Sequence, residues 1–171
     1  MTQSPIIENK VAKSGLVTID LEKLVGNVSI SEFDIKDFLF MELLLKEKDF
    51  REALSNHDWS QYQDKILAVY CSTDAIFASW AYMLISTYAK PYAKSIYIGS
   101  RDQALENYFK DIIQNHDWTQ YSKKKVLLKG CSEHDFPQSA YLYATNELVG
   151  IADRIMYGEA CSFVPVWRDT K

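Results

Sequence analysis

The chain has 171 residues, a formal net charge of -4, 47% hydrophobic and 25% charged residues, enough for one compact domain with a sizeable core and too apolar for a disordered chain. The acidic balance argues against a nucleic-acid protein, which should show a basic face, and the one basic cluster, Lys123-Lys124-Lys125, reads as a solvated edge. No apolar stretch reaches the roughly 20 residues of a membrane span. Met1 to Lys10 lacks the pattern of a signal peptide, so a cytoplasmic location is expected.

In chain order, residues 1–15 are expected to form a flexible arm, followed by a short strand at Leu16 to Ile19. Ser29 to Asp34 reads as a connection, with Asp34 as N-cap of a long helix over Phe38 to Leu54. Phe38, Met41, Leu45 and Phe50 would be that helix's buried stripe. Ile66 to Tyr70 is an apolar run with the character of a parallel strand buried on both faces. A helix over Ala75 to Tyr88 follows, capped by Thr73 or Asp74 and stopped before Pro91. Then come a strand at Ser95 to Ile98, a turn at Gly99 and a helix over Gln103 to Ile113. The last third predicts a strand at Val126 to Lys129 and a helix over Gln138 to Val149 with Pro137 near its first turn. A strand at Arg154 to Tyr157 and an extended tail at Ser162 to Trp167 complete it, Pro165 favouring an edge position.

One sequence recurs. Asn56-His57-Asp58-Trp59-Ser60-Gln61-Tyr62 returns 59 residues later as Asn115-His116-Asp117-Trp118-Thr119-Gln120-Tyr121, with Ser replaced by Thr. The surroundings match too: Phe50 and Leu54 with Phe109 and Ile113, Ala81-Tyr82 with Ala140-Tyr141, Ile96 to Gly99 with Ile155 to Gly158. Each copy therefore reads as helix, His-Asp-Trp turn, strand, cysteine, helix, strand, over about residues 40–99 and 100–158. The implied fold class is a single α/β layered domain over 1–171. Its central sheet is mixed or mostly parallel, shared by both copies and flanked by helices, and it rests on an internal duplication of about 60 residues.

Open α/β sheets bind ligands outside the carboxyl ends of their strands. Cys71 and Cys131 stand at such ends, and Cys161 follows Gly158-Glu159-Ala160 after the last strand of the second copy. Three cysteines, odd in number and widely spaced, are unlike a disulfide framework. Three thiolates and a fourth ligand suit zinc ahead of iron, and His134, three residues beyond Cys131, is the first choice for the fourth. Asp74, Glu159 or a water are alternatives, and the absence of a Cys-x-x-Cys pair weighs against a metal. A helix starting near Asp74 would also lower the Cys71 pKa. Lys129, just before Gly130-Cys131, would hold an anion or reach solvent. His57 and His116 fall at the amino ends of the strands and read as scaffold: the histidine beside the preceding helix end, the aspartate holding a turn, the tryptophan and tyrosine packed on the sheet.

Val17 to Asp20, Phe38 to Phe50, His57-Asp58-Trp59, Cys71-Ser72-Thr73-Asp74-Ala75, Trp80 to Leu84, Lys129-Gly130-Cys131 and Tyr157 to Val166 together resemble a Bacteroidetes protein family catalogued as domain-of-unknown-function family 2480. The resemblance covers nearly the whole chain. It departs at Ala160, where the family carries Pro, and at Phe163, where it carries Thr. It implies a bacterial cytoplasmic protein and supplies no activity. The residues leave four functions open: a metal-binding protein using Cys71, Cys131, Cys161 and His134; an enzyme using a thiol or a metal-bound water; an iron–sulfur cluster assembly protein; and a metal-free interaction protein, such as a homodimer.

Overall fold

The computed structural model describes residues 15–129 and 136–170. In chain order its elements are β1 (Leu16–Ile19), α1 (Leu21–Val25), β2 (Ile30–Asp34), α2 (Glu47–Asn56), β3 (Ile66–Tyr70), α3 (Trp80–Ala89), β4 (Ser95–Ile98), α4 (Arg101–Asn115), β5 (Lys125–Lys129), α5 (Ser139–Leu148), β6 (Arg154–Glu159) and β7 (Ser162–Arg168). Single 3-10 turns fall at Ile35–Phe38, Trp59–Tyr62 and Trp118–Tyr121. The fold is α/β with largely parallel sheet flanked by helices. Its strands are divided between two sheets, not gathered into the one sheet expected. Two compact units hold these sheets: a mid-chain unit, Asn27–Asp111, and a terminal unit made of residues up to Gly26 and from Ile112 onward. The expected N-terminal arm falls outside the described residues except for Gly15, a turn.

In the mid-chain unit the strand order is β2-β3-β4, all parallel. Leu67 and Val69 of β3 join Phe33 of β2 and Phe50, Leu54, Ala81 and Ile85 of the helices in one buried cluster. Ala81, Ile85 and Ala89 make an i, i+4, i+8 stripe along α3, and the two alanines let the helix approach the sheet closely. On the other face Ile66 and Ala68 are in register with Ser95 and Tyr97. That face meets α4: the Tyr97 hydroxyl donates to Asp111 Oδ2 at 2.7 Å, and Lys94 Nζ lies 5.0 Å from the centre of the Tyr108 ring. The acceptor and burial together push the Tyr97 pKa well above its usual value, burial being the larger cause.

Two expectations fail in this unit. Ser29 to Asp34 is not a connection but holds β2, in register with β3 from Ile30 opposite Ile66 to Asp34 opposite Tyr70. An edge strand pairs on one side only, so Ser31 and Glu32 are tolerated and Phe33 alone is deeply buried. The long helix over Phe38 to Leu54 is also absent. The 3-10 turn, capped by Asp34 as expected, gives way to a tight reversal, and α2 starts at Glu47. Phe40 N–H donates to Leu44 O at 2.8 Å, and Met41 and Glu42 take φ of 52° and 58°. Phe38 stacks on Phe33 at 4.9 Å, anchoring the chain before a helix can propagate. Of the expected stripe Phe50 is fully buried, Phe38 and Leu45 are partly so, and Met41 is 75% exposed.

The terminal unit has the order β1-β5-β6-β7, with β1, β5 and β6 parallel and β7 antiparallel on β6 through a bulge between Ile155 and Met156. The tail is thus an edge strand, where Pro165 costs no interior hydrogen bond. Helix α1, not foreseen, is nucleated by Asp20, which accepts from Lys23 N–H at 3.3 Å, and it buries Leu21 and Val25. Across the two units β3 and β5 begin at residues 66 and 125, α3 and α5 at 80 and 139, and β4 and β6 at 95 and 154: 59 residues apart each time.

Left-handed backbone at a non-glycine residue costs roughly 1–2 kcal/mol. Met41→Gly should therefore hold or raise stability by up to about 1 kcal/mol, whereas inside a continuous helix it would lower it by about as much. The urea midpoint of the variant decides between the two.

Candidate functional site

Both copies of the His-Asp-Trp heptapeptide make the same hydrogen bonds. The Trp59 indole N–H donates to Leu54 O at 2.8 Å and that of Trp118 to Ile113 O at 2.6 Å, satisfying a carbonyl in the last turn of α2 and of α4. Asp58 and Asp117 each cap the following 3-10 turn, through Ser60 N–H and Thr119 N–H at 3.0 Å. His57 Nε2 lies 2.9 Å from the Tyr62 hydroxyl and His116 Nε2 lies 3.3 Å from that of Tyr121. Gln61 and Gln120 close on the same nitrogens at 3.2 Å. Each imidazole is thus held among groups of its own heptapeptide. The helix end is bonded twice, by the tryptophan indole and by the histidine's backbone N–H, which donates to Leu54 O at 3.4 Å and, in the second copy, to Ile113 O at 3.3 Å. Burial lowers the His57 pKa, against the opposing pull of Asp58.

The cysteine sites divide. Cys71, directly after β3, is partly buried, with its Sγ 3.3 Å from Thr73 Oγ1. Helix α3 begins at Trp80 and not near Asp74. Ile76, expected inside that helix, is 93% exposed. Cys161 is exposed in the turn between β6 and β7. Cys131 and His134 lie outside the described residues. In sequence Cys131 follows Cys71 by 60 residues, one more than the 59-residue repeat. Among the described residues no group of three or more His, Cys, Asp or Glu side chains could hold a metal ion.

The carboxyl ends of the strands carry bonded polar groups. Lys129 Nζ meets Asp20 Oδ2 at 3.0 Å, so the lysine is engaged by a carboxylate; that bond raises its pKa. In the mid-chain unit Asp34 Oδ1 accepts from Lys36 N–H at 2.9 Å and from Ser72 N–H at 3.0 Å. Burial works to raise the Asp34 pKa, and hydrogen bonding from the Ser72 side chain, joined by the two backbone bonds and the Lys36 charge, outweighs it and leaves it lowered.

A cavity of about 730 Å³ lies elsewhere, over the terminal sheet, reaching from the first residues of β1, β5 and β6 to Ala160 and Phe163 at the β6–β7 turn. Leu16, Met156, Phe163, Pro165, Val166 and Trp167 give it apolar walls, and Lys125, Arg154 and Arg168 give it charge. The three cations form one row across the sheet: Lys125 is in register with Arg154, and Arg154 with Arg168. Neighbouring strands are about 4.8 Å apart, so like charges stand side by side, which is unfavourable. Asp153 answers in part, its Oδ2 being 3.8 Å from Arg154 Nε. That is too long for a hydrogen bond, and the buried Nε has no acceptor among the described residues.

Sequence reasoning missed this row. Lys125 belongs to a basic run that reads as solvated, Arg154 reads only as a strand residue, and Arg168 lies one residue beyond the expected tail. A signal was present at the 59-residue spacing. Ile66 and Ser95 of the mid-chain unit become Lys125 and Arg154, at matched strand positions.

Residues 5–169 match the family model described as protein of unknown function (DUF2480), and the chain belongs to that family. A search of curated proteins and a search of solved structures each returned no match.

The lowered His57 pKa has a consequence for stability. The unfolded chain takes up a proton near pH 6.5 and the folded chain only at lower pH, so the His57 contribution is complete above about pH 6.5 and is lost as pH falls through the folded pKa. Between about pH 6.5 and the carboxylate range, the native chain should lose stability on acidification. His57→Gln should flatten that stretch of the profile. A variant curve parallel to the native one would show that another group is responsible.

Proposed function

We propose that this DUF2480 protein is a ligand-binding protein built from two copies of one α/β unit, the terminal copy holding a small amphipathic anion over its sheet. The row of Lys125, Arg154 and Arg168 at the mouth of an apolar cavity carries the reading. Pockets for small molecules commonly measure about 300–1,000 Å³ and combine apolar walls with a few placed polar groups. Three cations and an unbonded buried guanidinium nitrogen call for a carboxylate or phosphate, and arginine offers either a planar pair of donors. The walls call for an aliphatic or aromatic body.

The duplication is supported by the recurring heptapeptide, by its matching hydrogen bonds and by the constant spacing of helices and strands. It accounts for where the ligand sits. In the mid-chain unit the chain after β4 becomes α4, and Tyr97 is bonded to Asp111 of that helix. In the terminal unit the residue 59 positions on, Met156, lines the cavity.

Titration with dodecanoate, followed by Trp167 fluorescence, tests the reading; a Trp167→Phe variant assigns the signal. The carboxylate should bind more tightly than dodecanol. A charge-assisted hydrogen bond contributes about 1.5–3 kcal/mol, so Arg168→Glu should weaken dodecanoate by about tenfold or more and leave the alcohol little changed. Equal binding of acid and alcohol would remove the cation row from the site, and saturation by neither would sink the proposal.

A further inference from the structure

Strand β4 ends the mid-chain sheet: β3 pairs with one side of it, and among the described residues no strand pairs with the other. Beside that edge, between β4 and α3, lies a shallow hollow of about 310 Å³ lined by Val69, Tyr82, Met83, Ile96 and Ile98. Met83 is 69% exposed and Ile98 60% exposed, large values for apolar residues only a strand's width from a core. The terminal unit carries a corresponding hollow of about 320 Å³, lined by Leu128, Tyr141, Leu142 and Tyr157. There one further wall is Val166, delivered by β7, which runs antiparallel along β6. One unit thus shows what occupies this kind of edge: an extended antiparallel strand that lays a branched apolar side chain beside the hollow. The other unit shows the edge and the hollow without the strand.

We propose that the missing strand is β4 of a second copy, paired antiparallel about a two-fold axis at Tyr97. Such an axis, perpendicular to the sheet, brings a strand against itself in antiparallel sense and keeps every side chain on its own face. Residues directly opposed must then share a face. With Tyr97 on the axis, Ile96 stands opposite the partner's Ile98, and Ile98 opposite the partner's Ile96. These two β-branched pairs lie on the side of Met83. Residues Ser95 to Ile98 carry no charge, so self-pairing meets no like-charge opposition, and Lys94 falls opposite the partner's Ser100. The outer edge of β7 is poorer for this purpose, because Pro165 lacks an N–H.

Sedimentation equilibrium of the full chain, from low micromolar to sub-millimolar concentration, tests this. A reversible monomer–dimer equilibrium is expected, weakened about tenfold or more by Ile98→Lys and by Met83→Glu and unchanged by Val164→Lys on β7. Both target residues are exposed, so the variants should keep the native circular dichroism, and either one suffices if the other misfolds. Hydrogen exchange read alongside should show the outward-facing amides of Ile96 and Ile98 gaining protection as concentration rises. A chain that stays monomeric throughout overturns the proposal. So does a dimer that survives both β4-side variants, or one lost in Val164→Lys alone. None of these outcomes bears on ligand binding over the terminal sheet.

Discussion

A parallel sheet leaves two things to cover, both of its faces and its outermost strands, because its strands are apolar on each side and its edges carry unpaired backbone groups. Each unit here has a β–α–β crossover that covers one face. The segment after the last parallel strand of each unit can then serve either need, and the two units use it differently. After β4 the chain enters α4, which meets the second face through Tyr97 and Asp111 and leaves the edge of β4 unpaired among the described residues. After β6 it turns at Gly158 to Cys161 and returns as β7, which covers the edge and leaves part of the face as a cavity. Gly158 permits the hairpin: its φ is +130°, and a Cβ there would come within 2.6 Å of Ser162 O.

The two units share the junction before the central strand. The tryptophan bonds a carbonyl of the helix end, and the aspartate caps the adjoining 3-10 turn. Together they fix how far the helix end stands from the first strand residue. The packing is dense around one copy: Phe33, His57, Trp59 and Tyr62 have ring centroids 4.9 to 6.5 Å apart. Such a junction conserves geometry, and the Nε2 of each imidazole lies against its own tyrosine and glutamine. The most conspicuous motif in the sequence is accordingly the part that positions everything else.

The central strands and the ends of the helices at Asn56 and Asn115 are legible in the sequence because buried parallel strands are continuously apolar and their helices space apolar residues such as Phe50 and Leu54 at helical period. The scaffold reading of His57 and His116 rested on position alone and agrees with the hydrogen bonds found. The failures have local causes. Phe38 to Leu54 has helix formers throughout, but stacking of Phe38 on Phe33 decides its course, and a sequence shows no such pairing between distant residues. Residues 75–79 likewise look helical, yet Phe77 lies against Tyr82 at 5.5 Å and α3 starts only at Trp80. β2 was hidden because an edge strand needs only one deeply buried residue. The candidate site was sought at the carboxyl ends, where the cysteines stand. Cys131 and His134 lie outside the described residues, and the cation row lies at the opposite end of the strands.

The cation row and the cavity are consequences of one another. In the mid-chain unit the matched strand position holds Ile66, 1% exposed, on the face that meets α4. A lysine buried at such a place would lose its hydration with no partner to replace it, at a cost of several kcal/mol. Lys125 can occupy the equivalent position in the terminal unit because it stays exposed there. Opening the face thus makes the charges tolerable, and the charges in turn keep the opened face from being an uninterrupted apolar patch that would invite aggregation. The row still sets like charges side by side, and the 3.8 Å ion pair to Asp153 relieves this in part. An anion over Arg154 would remove that repulsion and supply the missing acceptor to its buried Nε in a single event. Relief of the repulsion within the row would in this way contribute to the proposed affinity for an anionic head.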